Sequence, residues 1–339
     1  FGLVGGLGLT SQRSLFRKAS LWKALFILVL LLMPNLIWQL VHHFPVVEHM
    51  KVLKIRQLDN NTSLGFLKDQ VMFFSGSLVL IIGGLVSFIY HKSFKVYRFV
   101  GICFVIVISV FACLKAKNYY SIGLYPVLIA FGSVFIERLL SRKWIVIVIP
   151  ALIGINLATF ILTARFVYPV DSPSAIKENP VMFEKIGMLR WEDGKNHAIP
   201  QDFADMIGWN EMADKALAAY KELPEAERRN TLIFCDNYGQ AGALNYYNRK
   251  KMPPAFSFNT DYIFWLPRQK RILNVLLVGK MPSDKVVRMF NSVQLTGKVD
   301  NEFSREKGTG IYLLKDADVN FTAWFYAEAG RRIKSFDIF

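Results

Sequence analysis

Three short stretches of this chain carry side chains that could do chemistry. In "PNLIWQLVHHFPVVEHMKVLKIRQ", residues 34–57, an apolar run opens within a few residues onto two histidines, a Glu48-His49 pair and the cations Lys51, Lys54 and Arg56. In "KAKNYYSIGLYP", Lys117 is followed by Tyr119 and Tyr120. In "TLIFCDNYGQAG", Asp236, Asn237 and Tyr238 follow a short apolar run. A lysine is a compact charge that suits a phosphate, and tyrosines suit the headgroup layer of a membrane. The Lys117 stretch therefore reads as a place for an anionic headgroup, or as a snorkelling lysine beside an aromatic belt. Glu48 and His49 read as a helix cap and a surface histidine, or as residues that order a loop or touch a metal or an acceptor. No spacing among His42, His43 and His49 requires a metal; no metal site is assigned, and use of a divalent metal stays open. The loop from Asp236 to Gln240 falls where a strand, a tight turn and a helix N-terminus are expected, a position that ligands of open α/β sheets favour. Alternatively, Gly239 and Gly242 only permit the turn and close helix packing. The glycine pattern is not that of a dinucleotide site.

These residues need elements to hold them. The chain is 53% hydrophobic with a mean hydropathy of +0.29, more apolar than an ordinary soluble domain. The excess lies in the first half, which predicts two domains: a transmembrane domain over residues 1–168 and a small α/β domain over residues 169–339. Roughly 20 apolar residues span a bilayer core as a helix, and five stretches qualify: about Leu21–Val41, Val71–Tyr90, Tyr97–Leu114, Tyr119–Ile136 and Trp144–Ala164. The opening "FGLVGGLGLT", residues 1–10, reads as the tail of a further span that starts outside this chain, so that the chain is a fragment. In the second half, "TLIFC", "NVLLVG" and "GIYLLK" read as buried strands of a mainly parallel sheet, "SDKVVRMFNSV" as a helix between two of them, and the segment around Met212, Ala216 and Ala219 as an amphipathic helix. Ser172–His197 reads as loop over a membrane surface. Cys103, Cys113 and Cys235 read as small apolar filler.

Charge divides the same way. Residues 1–168 hold 17 Lys+Arg against 4 Asp+Glu, and residues 169–339 hold 24 against 22. An excess confined to the loops of an apolar half points to membrane topology and lipid rather than to nucleic acid. Arg13, Arg17, Lys18 and Lys23, then Lys92, Lys95 and Arg98, then Arg138, Arg142 and Lys143 fall on one side if five spans alternate, and that side reads as cytoplasmic. The loop from His42 to Gln70, the Lys115–Asn118 turn and the C-terminal domain then lie outside. The span interiors hold no Asp, Glu, Lys or His, which argues against ion-coupled transport.

Two of the stretches resemble a known family. "LIWQLVHHFPVVEHMKVLKIRQLDNNTSLGFLKDQVMFFSG" is similar to the long outer loop and following helix of family 39 glycosyltransferases, bacterial relatives of protein mannosyltransferases and of the lipid A aminoarabinose transferase, with Glu48, His49 and Lys51 in the matching places. "KAKNYYSIGLYPVLIAFGSVFIERLL" resembles that family's basic residue, aromatic pair and Tyr-Pro before a late span, carried here by Lys117, Tyr119, Tyr120, Tyr125 and Pro126. "DFADMIGWNEMADKALAAYKELP" and "DNYGQAGALNYY" resemble the outer domain of one bacterial branch. The resemblance implies a GT-C membrane enzyme of the bacterial inner membrane, multi-pass, with its C-terminal domain extracytoplasmic. Such an enzyme takes a sugar from a polyprenyl-phosphate donor and transfers it to a lipid, glycan or protein acceptor. The family's acidic base lies in a first outer loop that has no counterpart here, which implies that the chain by itself is inactive. The reading beside it is a membrane-anchored extracytoplasmic binding module without catalysis.

Overall fold

The computed structural model describes residues 1–56, 58–268 and 270–335. The chain forms two compact units. The first comprises Phe1–Leu40, Met50–Asp171 and Glu192–Gly194; the second comprises Val41–His49, Ser172–Trp191 and the chain from Lys195 onward.

Helices dominate the first half: α1 Gly2–Gly8, α2 Ala19–Val41, α3 Pro45–Arg56, α4 Ser63–Phe73, α5 Leu78–Tyr90, α6 Arg98–Cys113, α7 Tyr125–Leu139 and α8 Arg142–Val167. Four helical stretches among the described residues are long and apolar enough to cross a membrane: Ala19–Val41, Lys92–Cys113, Asn118–Leu139 and Arg142–Val167. The straight span expected over residues 71–90 is instead broken. Helix α4 and the helical stretch Ser75–Tyr90 meet at 67°. The cause lies in Ser75-Gly76-Ser77. Ser77 Oγ donates to Asn156 Oδ1 of α8 (2.6 Å), and Asn156 Nδ2 donates to the Gly76 carbonyl (3.0 Å). A neighbouring helix thus satisfies backbone that the break leaves open, the condition under which an apolar helix tolerates one.

Helices α5 and α7 pack in parallel through glycine. A Cβ on Gly84 would lie 2.2 Å from the Leu128 carbonyl oxygen, and one on Gly132 would lie 1.8 Å from that of Leu80. The main chains therefore touch, as small residues permit between apolar helices. Phe88, Leu128 and Phe135 fill the remaining space. Helix α6 returns antiparallel, its Gly101 against Phe88, and α1 lies along it with Gly6 against the Phe99 carbonyl. One end of this unit gathers three basic segments: Gln12 Nε2 donates to the Val96 carbonyl (3.5 Å), and Arg138 Nη1 lies 3.4 Å from His91 Nε2. Helices α2 and α8 contain no buried residue although both are apolar.

The second unit is a five-stranded mixed sheet: β1 Thr231–Cys235, β2 Ala255–Ser257, β3 Asn274–Gly279, β4 Phe290–Lys298 and β5 Gly310–Ala317, in the order β2-β1-β3-β5-β4. β1 runs parallel to β2 and β3, while β5 is antiparallel to both β3 and β4. The sheet is therefore not mainly parallel. The helix expected over "SDKVVRMFNSV" is a single turn, Asp284–Val287, after which the chain becomes β4. Pairing of Val293 with Leu314 and of Leu295 with Tyr312 overrides the local helical pattern there. Strand side chains alternate between faces. Ile233, Leu276 and Val278 pack with Met212, Ala216 and Ala219 of the helix Trp209–Glu222 and Leu244 of the helix Tyr238–Tyr247. Leu232, Val275 and Leu277 pack with Phe321 and Phe325 of the helix Phe321–Ser335. Where loop was expected in Ser172–His197, the chain forms short helices, Pro173–Glu178 and Val181–Lys185. All three cysteines are unbridged.

The helix contacts make a direct prediction. Gly132→Leu should lower the unfolding free energy by about 2 kcal/mol or more, because the neighbour it meets is backbone. Gly154→Ala in α8, where a Cβ meets nothing within 4 Å, should leave stability unchanged or slightly raised. Thermal unfolding of both variants in detergent checks this.

Candidate functional site

Lys117 lies between the end of α6 and the 3-10 turn Asn118–Leu124 that leads into α7. The chain reverses direction at Lys115, which takes a left-handed conformation (φ 51°). Lys117 Nζ donates to Glu192 Oε1 at 2.6 Å, and the lysine side chain is only 17% exposed. Burial pushes its pKa down, but the hydrogen bond and charge of Glu192 outweigh that and leave it above the ordinary lysine value. Nζ also lies 6.0 Å from the Tyr119 ring centroid. Tyr119 and Tyr120 are exposed and meet edge to face at 5.0 Å. The structure thus brings Lys117, Tyr119 and Tyr120 together.

A polar network supports this group from below. Gln70 is buried; its Oε1 accepts from Ser121 Oγ (2.5 Å) and Tyr125 Oη (3.0 Å), and its Nε2 donates to the Asn118 carbonyl (2.9 Å). Asn118 Nδ2 donates to Asp69 Oδ2 (3.1 Å). Asn61 Nδ2 donates to the Lys115 carbonyl, and Asn60 Nδ2 to the Glu192 carbonyl. Each buried polar atom of Gln70 is therefore partnered, as the low-dielectric setting demands. Sequence reading missed Glu192, Asp69, Gln70 and Ser121. Asp69 and Gln70 immediately precede the apolar run and are the signal that was available; Glu192 is 75 residues from Lys117 and nothing local marks it. The Asn60-Asn61-Thr62 triplet, which matches a glycosylation pattern, is used structurally: Thr62 Oγ1 caps α4 through Gly65 N.

Glu48, His49 and Lys51 sit on helix α3, not in the long loop expected from His42 to Gln70. Pro45 opens that helix with its fixed φ, and Glu48 occupies the first turn, where a carboxylate opposes the helix dipole. His43 and Phe44, just before it, adopt positive φ. Glu48 and His49 belong to the second unit, whereas Lys51 belongs to the first with Lys117. His42 packs edge-on to Phe264 at 5.8 Å. Among the described residues no group of three or more His, Cys, Asp or Glu could hold a metal ion.

Asp236 and Asn237 stand at the carboxyl end of β1. Asp236 Oδ2 accepts from Lys280 N at 2.6 Å, and a Cβ on Gly279 (φ 155°) would lie 2.2 Å from the carboxyl carbon. Only glycine fits there. Asn237 closes a capping box with Gln240 at the start of the helix Tyr238–Tyr247. Gln240 Nε2 in turn donates to Glu306 Oε2 (2.8 Å). Tyr238 is exposed, and its N–H donates to Asn259 Oδ1 (3.3 Å). The carboxylate and the amide of this loop are thus committed to the backbone. Burial raises the Asp236 pKa, reinforced by the charge of Glu306 and opposed by the Lys280 N–H.

Comparison with protein-family models, with curated proteins and with solved structures returned no match.

A carboxyl whose folded pKa is raised favours folding while protonated, and that contribution fades as pH rises through the folded value. Asp236→Asn, which keeps an acceptor for Lys280 N and cannot ionise, should therefore melt higher than the parent at pH 7. The gap should close as pH falls below the ordinary aspartate range. Melting curves of both proteins between pH 3 and 7 check it; a gap independent of pH would contradict the assignment.

Proposed function

We propose that this chain belongs to a membrane-embedded transferase that takes a sugar from a polyprenyl-phosphate carrier and passes it to a lipid, glycan or protein acceptor. The observation that carries the reading is the Lys117 cluster: a largely buried cation at the ends of α6 and α7, beside two exposed tyrosine rings and above a fully partnered polar base. An ammonium group has three donors, and Glu192 takes one. The remaining donors suit phosphate oxygens. Departure of the phosphate from the sugar builds negative charge on it, and a cation fixed in advance lowers that barrier. The reading assigns Lys117 to the leaving phosphate and assigns no general base.

The membrane part of the proposal is supported by the apolar, unburied helices α2 and α8, a surface that water would penalise. In this reading the stretches long enough to cross do so. The end with Arg13, Lys92 and Arg138 faces the bacterial cytoplasm, and the second unit lies outside. The resemblance to family 39 enzymes in the segments around Glu48 and Lys117 supports the reaction class. A second reading, an anchored binding module without catalysis, is favoured by the Lys117–Glu192 bond, which already balances the cation.

Transfer of labelled sugar from a panel of undecaprenyl-phosphate sugars, assayed in membranes holding the chain in its natural context, separates these readings. Lys117→Ala should cut transfer by about a hundredfold, the scale of one lost charge-stabilising donor, at unchanged protein level. Glu192→Gln should cost far less. Undiminished transfer by the Lys117 variant would remove the phosphate role.

A further inference from the structure

We propose that the basic end of the first unit binds the headgroup phosphate of an anionic phospholipid through Lys92 and Lys95, on the turn that follows His91, and Arg138, at the end of α7 beside His91. The inference rests on the reading of the apolar helices as membrane spans. His91 ends α5, Lys92 and Lys95 lie in the 3-10 turn Lys92–Tyr97, and Arg138 lies in the last turn of α7. Arg138 Nη1 lies 3.4 Å from His91 Nε2, and its guanidinium stands 5.4 Å from the centroid of the buried Phe94 ring. Arginine has no acceptor and stays charged, so the imidazole meets it as an acceptor and brings no negative charge. Among the described residues none of Lys92, Lys95 and Arg138 is paired with a carboxylate, and the adjacent Glu137 holds none of them.

The contrast with the other end is what directs the assignment. Lys117 is largely buried and bonded to Glu192, whereas these three cations are exposed and uncompensated. Arg98 is excluded as a contact, because its Nε and Nη2 donate to the Phe88 and Ile89 carbonyls and close the end of α5. Ile89, Tyr90 and Leu139 are exposed apolar neighbours. Exposed cations next in the chain to exposed apolar side chains match a molecule with an anionic head and acyl chains, and clusters of Lys and Arg at the ends of apolar helices are a known form of lipid recognition.

The test uses the purified full chain in neutral detergent, with phosphatidylglycerol, phosphatidylcholine and inorganic phosphate as probes, read by native mass spectrometry and by thermal shift. Phosphatidylglycerol should be retained and should raise the melting temperature, while phosphatidylcholine should do neither. Arg138→Gln and Lys92→Gln should each weaken retention about fivefold. Lys92 is exposed, so its variant keeps the test valid if loss of Arg138 disturbs folding. Equal retention by parent and both variants would overturn the proposal. Competition by inorganic phosphate at similar concentration would replace the lipid with a free anion. Release of the chain from membranes by alkaline carbonate would sink the span reading itself, and the lipid site with it.

Discussion

The first unit is organised by one steric fact: the main chains of α5 and α7 touch at Gly84 and Gly132. A Cβ at either position would run into the neighbouring main chain and force the helices to shift. Their parallel course sets both ends of the unit at once. At one end Phe74 stacks on Tyr125 at 4.0 Å, above the Gln70 network that underlies Lys117. At the other, His91 reaches Phe135 and Arg138. Chemistry-bearing residues that are far apart in sequence are therefore placed by an apolar contact in which none of them takes part.

The two ends solve the problem of charge differently. Around Lys117, the Glu192 carboxylate holds the ammonium group, while Gln70, Ser121 and Tyr125 satisfy each other beneath and tie down the Asn118 main chain next to it. Fixed geometry is what transition-state stabilisation needs. Around Arg138 the cations stand in the open with aromatic and aliphatic neighbours. In the proposed reading these exposed cations meet the electrostatics of a membrane surface rather than of a reaction. The second unit solves a third version of the problem: Asp236 is drawn into the fold by Lys280 N and the space that Gly279 leaves.

Much of this was legible from residue types. Long apolar runs became α2, α6 and α8 nearly to their ends, since an all-round apolar stretch of that length has few other outcomes; the run expected from Tyr119 becomes α7 only from Tyr125, after the 3-10 turn Asn118–Leu124. The runs "TLIFC", "NVLLVG" and "GIYLLK" became β1, β3 and β5, and Met212, Ala216 and Ala219 became core. What escaped was decided at a distance. The break at Ser75-Gly76-Ser77 depends on Asn156, about 80 residues away. β4 depends on its register with β5, which local propensity does not carry. α3 escaped because its charges suggested a loop, although Pro45 and Glu48 form an ordinary helix start. At the site, Lys117 and its tyrosines could be chosen from sequence, but Glu192 could not.

The central claim is that the first unit crosses a membrane with Asn61 and Lys117 at one face and Lys92 at the other. In a chain with Cys103, Cys113 and Cys235 replaced by serine, Lys92→Cys and Asn61→Cys can be probed with a membrane-impermeant maleimide on intact cells and on inverted vesicles. The account requires labelling of the Asn61 position only from outside and of the Lys92 position only from inside. Labelling of both positions from the same side would contradict it.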